Sequence, residues 1–392
     1  MKILTFTTLY PNAERPNHGV FVETRLRHLL ASNAVEARVV APVPWFPSKN
    51  SRFGNYASFA RVPATETRRG INITHPRYPL LPKIGMTLAP FLLARAVRSE
   101  IGRIIDEGYD FDLIDAHYFY PDGVAAIILG RYFNKPVVIT ARGTDINLIP
   151  KFPLPRKMVL WAARKAAGVI TVCQALKTEM VELGAAPEKI TPLRNGVDLA
   201  LFHPIDRPNA RKALGLNRFT LLSVGLLDTR KGHDLVIQAM PNLPDAELLI
   251  AGSGPDRQKL ENLARDLNVA DRVRFLGPLP HAELRQYYGA ADALVLASSR
   301  EGWANVLLES MACGTPVVAS RVWGTPEVVA APEAGILMPE RTPQGIVDAV
   351  HMLRSQYPAH EATRRYAEGF SWDDTTNGQI TLFKQILNGG KP

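Results

Sequence analysis

The sequence is poor in cysteine, with two in 392 residues. Cys173 and Cys313 each sit beside an apolar run, with no C-x-x-C pair and no metal-ligand spacing around either. This excludes a disulfide framework and fits two small buried hydrophobes in a reducing compartment. No run of about 18 apolar residues occurs, which excludes a bilayer-spanning helix. Met1 to Tyr10 carries one lysine and too short an apolar stretch for a signal peptide, and Asn12, Glu14 and Arg15 follow at once. A cytoplasmic protein is expected, peripheral on the inner face of the plasma membrane if it meets lipid at all. There is no G-x-x-x-x-G-K-[ST], which removes the P-loop ATPases. Gly252-Ser253-Gly254 begins a G-x-G-x-x-G but Pro255 follows, and no strand of the first half carries that fingerprint, so a dehydrogenase is not expected. Basic residues are not interleaved with stacking aromatics on any nucleic-acid module, so no nucleic-acid partner is expected.

What is present is ordinary globular material, 46% apolar and 21% charged, in a length suited to two or three domains. Charge is unevenly spread. Residues 1–200 hold 26 Lys+Arg and 16 Asp+Glu, a balance of +10, whereas residues 201–392 hold 20 and 21, a balance of −1. A basic half beside a neutral half suits a one-sided anionic partner such as phosphate or anionic lipid; a solvated arginine-rich face would produce the same balance.

Short β-branched runs recur at βαβ spacing. KILTFTTLY, ARVVAPV, FDLIDAHY, PVVITAR and GVITVC fill the first half; FTLLSVGLL, AELLIAG, RVRFLG, DALVLAS and PVVAS fill the second. Near-continuous apolar strands mark sheets covered on both faces. Between the two sets, Pro204, Pro208, Asn209 and Gly215 break periodicity, placing a linker at 196–217. The expected division is a first domain at 1–195, a second at 218–372, and a last helix at 373–392. Two doubly wound α/β domains joined in this way are expected to bind ligand at the carboxyl ends of their strands, in a cleft between them. Residues 45–70, rich in Ser, Arg and Pro, read as an irregular excursion. Residues 79–98 are apolar with Lys83, Arg95 and Arg98 interspersed, and read either as an element touching anionic lipid or as a packed helix.

The strongest signal is EGWANVLLESMACGTPVVAS, from Glu301 to Ser320, directly after the strand DALVLAS. Glu301 lies in a strand-to-helix turn, and Glu309 follows eight residues on, just over two helical turns away. Both carboxylates can then face one ligand from different heights. The N–H groups of Ala304, Asn305 and Val306 open that helix and suit a diphosphate.

This stretch resembles the E-x7-E signature of the retaining family 4 glycosyltransferases, which have the GT-B fold of two Rossmann-like domains. The resemblance runs through TTLYPNAERPNHGVFVETRLRHL, DAHYFYPDGVAA, TARGTDIN, TPLRNGVDLALFHP, SVGLLDTRKGHD, IAGSGPD and RVRFLG, all in the family's order. The first three look most like the subgroup for teichuronic-acid and related envelope polysaccharide synthesis.

The resemblance implies that 1–195 is the acceptor-binding domain, 218–372 the nucleotide-sugar-binding domain and 373–392 a helix returning to the first domain, and it implies roles for individual residues. Glu301 would hold hydroxyls of the donor sugar and Glu309 the ribose hydroxyls. Lys231 would grip the leaving diphosphate, with Gly225 before it. Phe275 and Leu276 would lie along the base, and Gly302, Trp303, Ala304, Asn305 and Val306 would complete the donor site. His117, ending the strand FDLIDAH on its carboxyl edge, would contact the donor sugar near the reaction centre; a neutral core histidine is the alternative reading. Gly19 would let backbone approach a phosphate or acceptor; alone, it is equally a turn. The family commonly has Arg after the glycine equivalent to Gly225, and this chain has Leu226. Arg230, or Arg142 from the first domain, is expected to supply the missing positive charge.

Asp110 and Asp112 form a D-x-D, but at the amino end of their strand, where they read as surface turn residues. No metal and no cofactor is expected, the nucleoside diphosphate sugar being a co-substrate. The expected activity is therefore a glycosyltransferase of hexosyltransferase type (EC 2.4) acting on a saccharide or lipid-linked acceptor in envelope or exopolysaccharide synthesis. The alternatives are a nucleotide-sugar 2-epimerase of the same architecture and a non-catalytic sugar-nucleotide-binding subunit.

Overall fold

A computed structural model of the chain describes residues 1–80 and 85–389. They form two compact units, one of Met1–Arg194 with the residues from Asp373 onward, the other of Asn195–Trp372.

The first unit contains β1 (Lys2–Phe6), β2 (Glu36–Val40), β3 (Val43–Pro44), β4 (Thr65–Arg68), β5 (Ile71–Thr74), β6 (Arg77–Tyr78), β7 (Leu113–His117), β8 (Val137–Ala141), β9 (Gly168–Thr171) and β10 (Ile190–Pro192). Eight of them make one sheet in the order β10-β9-β8-β7-β1-β2-β5-β4, while β3 and β6 pair separately. Within the eight, every pairing is parallel except β4 against β5. Strands β7 (LIDAH) and β8 (VVITA) are buried at every position, as parallel strands with both faces covered must be. The chain leaves β1 toward β2 on one side and comes back to β7 on the other. That reversal makes a crevice at the carboxyl ends of β1 and β7.

One stretch of this unit differs from its sequence reading. Residues 45–70 are largely regular: a short turn of helix at Ser51–Phe53, a helix at Asn55–Arg61, and β4, whose alternating exposure and antiparallel pairing mark a solvated edge. Polar residues hid this strand because only one of its faces is covered. From residue 79 onward, Gly85–Asp106 is a helix with Pro90 inside it. Leu93, Val97, Ile101 and Ile104 form its buried stripe, while Met86, Leu88 and Phe91 stay exposed. Lys83 lies outside the described residues.

The second unit contains β11 (Phe219–Val224), β12 (Ala246–Ala251), β13 (Val273–Gly277), β14 (Ala293–Leu296), β15 (Val317–Ala319) and β16 (Gly335–Leu337). Their order is β13-β12-β11-β14-β15-β16, all parallel. This is the doubly wound order, with the switch point between β11 and β14. A contiguous apolar core that includes Leu221, Leu248, Ile250, Val295 and Val318 fixes the sheet against its helices.

The segment read as a linker, 196–217, is built into this second unit. Pro208 stands in the first turn of a helix, Arg207–Leu214, where a missing N–H costs nothing, and the Asp206 carboxylate caps the Asn209 N–H. Gly215 ends the helix in the left-handed conformation (φ 66°). Arg207 and Arg211 both pair with Asp292, before β14. Proline and glycine there bound a helix instead of breaking one. At the other end, Trp372–Leu387 is one helix, and Leu382 and Phe383 join the core of the first unit with Ile3, Val138 and Ile170.

Candidate functional site

In the second unit the chemistry gathers where β11 and β14 end, on either side of the switch point. The turn after β11 carries Lys231, and the turn after β14 carries Glu301. Lys231 Nζ donates to Glu301 Oε1 at 2.6 Å, with both side chains largely buried. The Lys231 turn is set by Asp228, whose carbonyl and carboxylate accept from the Lys231 N–H at 3.1 and 3.2 Å.

Glycines make this approach possible. A Cβ on Gly232 (φ 70°) would lie 2.1 Å from the Ala297 carbonyl oxygen, so only glycine lets the Lys231 turn sit on the end of β14. A Cβ on Gly252 would lie 1.8 Å from the Gly225 carbonyl oxygen, which stacks the turn after β12 on the turn after β11. The Leu227 N–H to Ser253 carbonyl bond at 2.9 Å and the Asp256 N–H to Leu227 carbonyl bond at 3.0 Å lock the two turns together. Gly252-Ser253-Gly254 therefore has a packing reason independent of any dinucleotide.

The helix Asn305–Ala312 starts after Ala304. Its Leu307 N–H is taken by the Ala304 carbonyl at 3.1 Å, and the Asn305 and Val306 N–H groups precede its first full-turn bond. Asn195 donates to the Asn305 side chain at 3.3 Å. Glu309, two turns on, is buried and doubly bound: it accepts from Tyr288 Oη at 2.8 Å and meets His281 Nε2 at 2.9 Å. The Tyr288 hydroxyl is held well above its ordinary range by burial and by the adjacent Glu309 charge. His281 and Tyr288 stand seven residues apart on one helix, His281–Ala290, hence on one face. That spacing was available in the sequence and went unread, as did Asn195.

Phe275 is half-buried, packed on the apolar core with the Arg257 guanidinium 4.7 Å above its ring. Leu276, next in β13, is also half-buried. Trp303 is buried against Phe370, and its Nε1 makes no hydrogen bond among the described residues. Gly302 precedes it in the same turn. Leu226, at the position where the resemblance implies arginine, is 49% exposed. Arg230 turns toward Asp228 at 3.6 Å, while its carbonyl accepts from the Ser299 N–H at 2.8 Å.

In the first unit the matching place is the carboxyl end of β1 and β7. Thr7 Oγ1 donates to the His117 carbonyl at 3.1 Å, joining the two strand ends. The His117 ring is buried with both nitrogens engaged: Nε2 faces Asp115 Oδ2 at 3.2 Å and Nδ1 faces Arg142 Nη2 at 2.6 Å. The His117 ring is held down at about 4, by burial first and by Arg142, against the upward pull of Asp115. A guanidinium cannot accept a hydrogen bond, so Nδ1 is the acceptor and Nε2 carries the proton. The ring here holds Arg142 and does not present a free nitrogen. Arg142 follows β8 and stacks over the Phe21 ring at 5.2 Å, with its guanidinium pushed down to about 9 by burial and by Arg25. Its backbone is fixed by Asp145, whose carboxylate also accepts from the Gly143 and Phe119 N–H groups at 2.7 and 2.8 Å.

Asp122, wholly buried, accepts from the Thr8 N–H at 2.6 Å and from the Thr8 hydroxyl at 3.0 Å, and so anchors the loop after β1. Burial raises its carboxyl to about 7. Gly19 (φ 71°) caps the helix Val20–Ala31, and a Cβ there would lie 2.3 Å from the Leu9 carbonyl oxygen. The close approach that Gly19 permits is thus to the chain's own backbone; the reading of an approaching ligand is corrected to that extent. Asp110 pairs with Lys135 at 2.6 Å and Asp112 accepts from the Lys2 N–H at 2.7 Å, both at the amino end of β7. Among the described residues no group of three or more His, Cys, Asp or Glu could hold a metal ion, and no helix is long and apolar enough to cross a membrane.

Residues 20–201 match the family model described as Glycosyltransferase Family 4, and residues 206–370 the model described as Glycosyl transferases group 1. The D-inositol 3-phosphate glycosyltransferase of Thermobifida fusca is 30% identical over 369 residues, spanning 86% of this chain and 84% of its own. TuaC of Bacillus subtilis, named as a teichuronic acid biosynthesis glycosyltransferase, is 28% identical over 362 residues, or 89% of this chain and 88% of its own. Among solved structures, sucrose-phosphate synthase from Thermosynechococcus elongatus matches with a TM-score of 0.82 at 21% identity over 99% of each chain. HepE from Anabaena, solved with UDP-glucose, matches with a TM-score of 0.72 at 20% identity over 99% of each chain. These structures share the GT-B fold with it. The chain belongs to the Family 4 and group 1 glycosyltransferases, and it is an enzyme that transfers sugar from a nucleotide-sugar donor.

Proposed function

We propose that the enzyme moves a hexosyl residue from a nucleoside diphosphate sugar to an acceptor hydroxyl, with retention at the anomeric carbon and without a metal ion. The observation that carries this reading is the Lys231–Glu301 pair across the β11/β14 switch point. A diphosphate can take the Lys231 ammonium while sugar hydroxyls take the Glu301 carboxylate, so one pair reads both halves of the donor. The Asn305 and Val306 N–H groups add donors for phosphate oxygen, and Glu309 accepts ribose hydroxyls beside Tyr288 and His281. Phe275 and Leu276 border the base.

The bond from the anomeric carbon to the phosphate oxygen breaks, with its electron pair going to that oxygen. The acceptor hydroxyl forms its bond on the same face and passes its proton to the departing oxygen. The protein orients the partners and neutralises charge. Lys231 carries most of that neutralisation. Arg142 supplies the positive charge that Leu226 lacks, since Arg230 is turned to Asp228. If Arg142→Ala and the pair Leu226→Arg/Arg142→Ala are equally inactive, this compensation is wrong.

The acceptor proposed is a lipid-linked saccharide of envelope polysaccharide synthesis, met at an anionic membrane surface. Its support is the +10 balance of residues 1–200, the exposed Met86, Leu88 and Phe91 beside Arg95, and the likeness to TuaC. The experiment is a thermal-shift and hydrolysis screen across UDP-, GDP- and ADP-sugars, with and without EDTA. Stabilisation by one donor with slow, EDTA-resistant release of its nucleotide is expected. Sugar-nucleotide turnover to an epimer without an acceptor would mark a 2-epimerase, and binding without transfer to any acceptor would mark a non-catalytic subunit.

A further inference from the structure

A buried line of side chains ends at Arg142 and begins in the carboxyl-terminal helix. Gln379 of that helix is wholly buried. Its side-chain carbonyl accepts from Arg25 Nε at 2.8 Å, and its amide donates to Asp115 Oδ2 at 3.1 Å. The amide can sit only this way round, because arginine offers only donors and an ionised carboxylate only acceptors. The same Asp115 oxygen faces His117 Nε2, and His117 Nδ1 faces Arg142 Nη2. Arg25, Gln379, Asp115, His117 and Arg142 thus form one continuous chain of contacts within the first unit. Burial opposes the charge on Asp115, but His117, Arg25 and Arg142 outweigh it and hold the carboxyl below its ordinary value. The carboxylate therefore stays ionised and keeps the proton of His117 on Nε2. An apolar residue at 379 would fill the space; an amide that donates to a buried carboxylate does something more specific.

We propose that Gln379 is a positioning residue for the reaction: by donating to Asp115 it holds the carboxylate that orients the His117 ring, and Nδ1 of that ring aims the Arg142 guanidinium. The functional half of this inference rests on the role given to Arg142 above. The carboxyl-terminal helix then does more than complete the first core, since it sets the direction of a charged group more than 200 residues earlier in the chain.

The test uses the full chain with nitrogen-15-labelled histidine, with two variants. Gln379→Met removes both hydrogen bonds. Gln379→Leu does the same with a shorter side chain, and carries the test if the methionine variant does not fold. The readouts are the two-bond proton–nitrogen ring correlations of His117, assigned with His117→Gln, and the kcat and donor KM of transfer. The expected result is a wild-type Nε2–H pattern whose ring nitrogen-15 shifts move in both variants as the bonds to Asp115 and Arg142 loosen, with kcat lowered about tenfold and KM changed less than about twofold. An unchanged His117 pattern in a folded variant overturns the proposal and leaves Gln379 a helix anchor. An altered pattern with kcat intact supports the link from Gln379 to His117 and overturns instead the role of Arg142 in the reaction.

Discussion

Lys231 and Glu301 are each other's counter-ion, 70 residues apart in the chain and 2.6 Å apart in space, and Gly232 is what lets their turns meet. A donor must compete with this pair to bind, since its diphosphate wants the lysine and its sugar the carboxylate. The pair therefore keeps two buried charges neutralised until a ligand replaces each partner.

Lys231→Ala is expected to lower kcat/KM about a hundredfold or more, the scale of losing one preorganised charge partner at a leaving group. Glu301→Gln should do so to a similar degree. Because each substitution also strands the other charge, the double variant should lose much less than the product of the two single losses. Steady-state kinetics on the four proteins checks this, and full additivity would show that the two side chains act independently.

Tyr288→Phe removes one of the two groups that hold Glu309. A buried hydrogen bond to a charged acceptor contributes about 1.5–3 kcal/mol, so the urea midpoint should fall accordingly. Donor KM should rise with kcat little changed, because Glu309 is assigned to binding away from the reacting carbon. A fall in kcat at constant KM would move Glu309 to the chemical step.

Two buried groups of the first unit should show opposite pH dependence. Burial raises the Asp122 carboxyl from 3.8 to about 7, so between those values the folded state holds a proton that the unfolded state has released. Its contribution to stability therefore declines as pH rises from about 4 to 7. Burial lowers His117 from 6.5 to about 4, so there the unfolded state binds the proton and stability climbs as pH rises from 4 to 6.5. Unfolding titrations of wild type against Asp122→Asn and His117→Gln should give difference curves of opposite slope over pH 4–6.5. Parallel slopes would contradict these assignments.

Binding to anionic vesicles should weaken about thirtyfold when Arg95 and Arg98 are both replaced by Ala, at about 1 kcal/mol per basic residue near such a surface. Phe91→Ser should weaken it further, since Phe91 is exposed on the same helix. Sedimentation with anionic and with zwitterionic vesicles decides this. Unchanged binding would leave Gly85–Asp106 an ordinary packed helix.

The β-branched runs marked β1, β2, β7, β8 and β9 of the first sheet and β11 to β15 of the second, because parallel strands covered on two faces are apolar throughout; the short strands β5, β10 and β16 were not marked. Strand β4 escaped because it is a one-faced edge, and the Arg207–Leu214 helix escaped because Pro208 was taken as a breaker when it occupies a first turn. The E-x7-E spacing was equally legible, being local in the chain. What could not be read was which side chains meet across it. The pairing of Lys231 with Glu301, the closure of Tyr288 and His281 on Glu309, and the line from Gln379 to Arg142 depend on contacts between distant elements. For His117, the resemblance pointed at the donor sugar with a core histidine as the alternative, and its ring is committed to Asp115 and Arg142.

The most direct test of the central claim follows the anomeric proton by NMR while the enzyme consumes the donor that stabilises it, with an acceptor present and EDTA added. The expected result is one product whose anomeric coupling matches that of the donor, formed in step with nucleoside diphosphate release. An inverted coupling, or nucleotide sugar consumed without nucleotide release, would contradict retaining transfer by this enzyme.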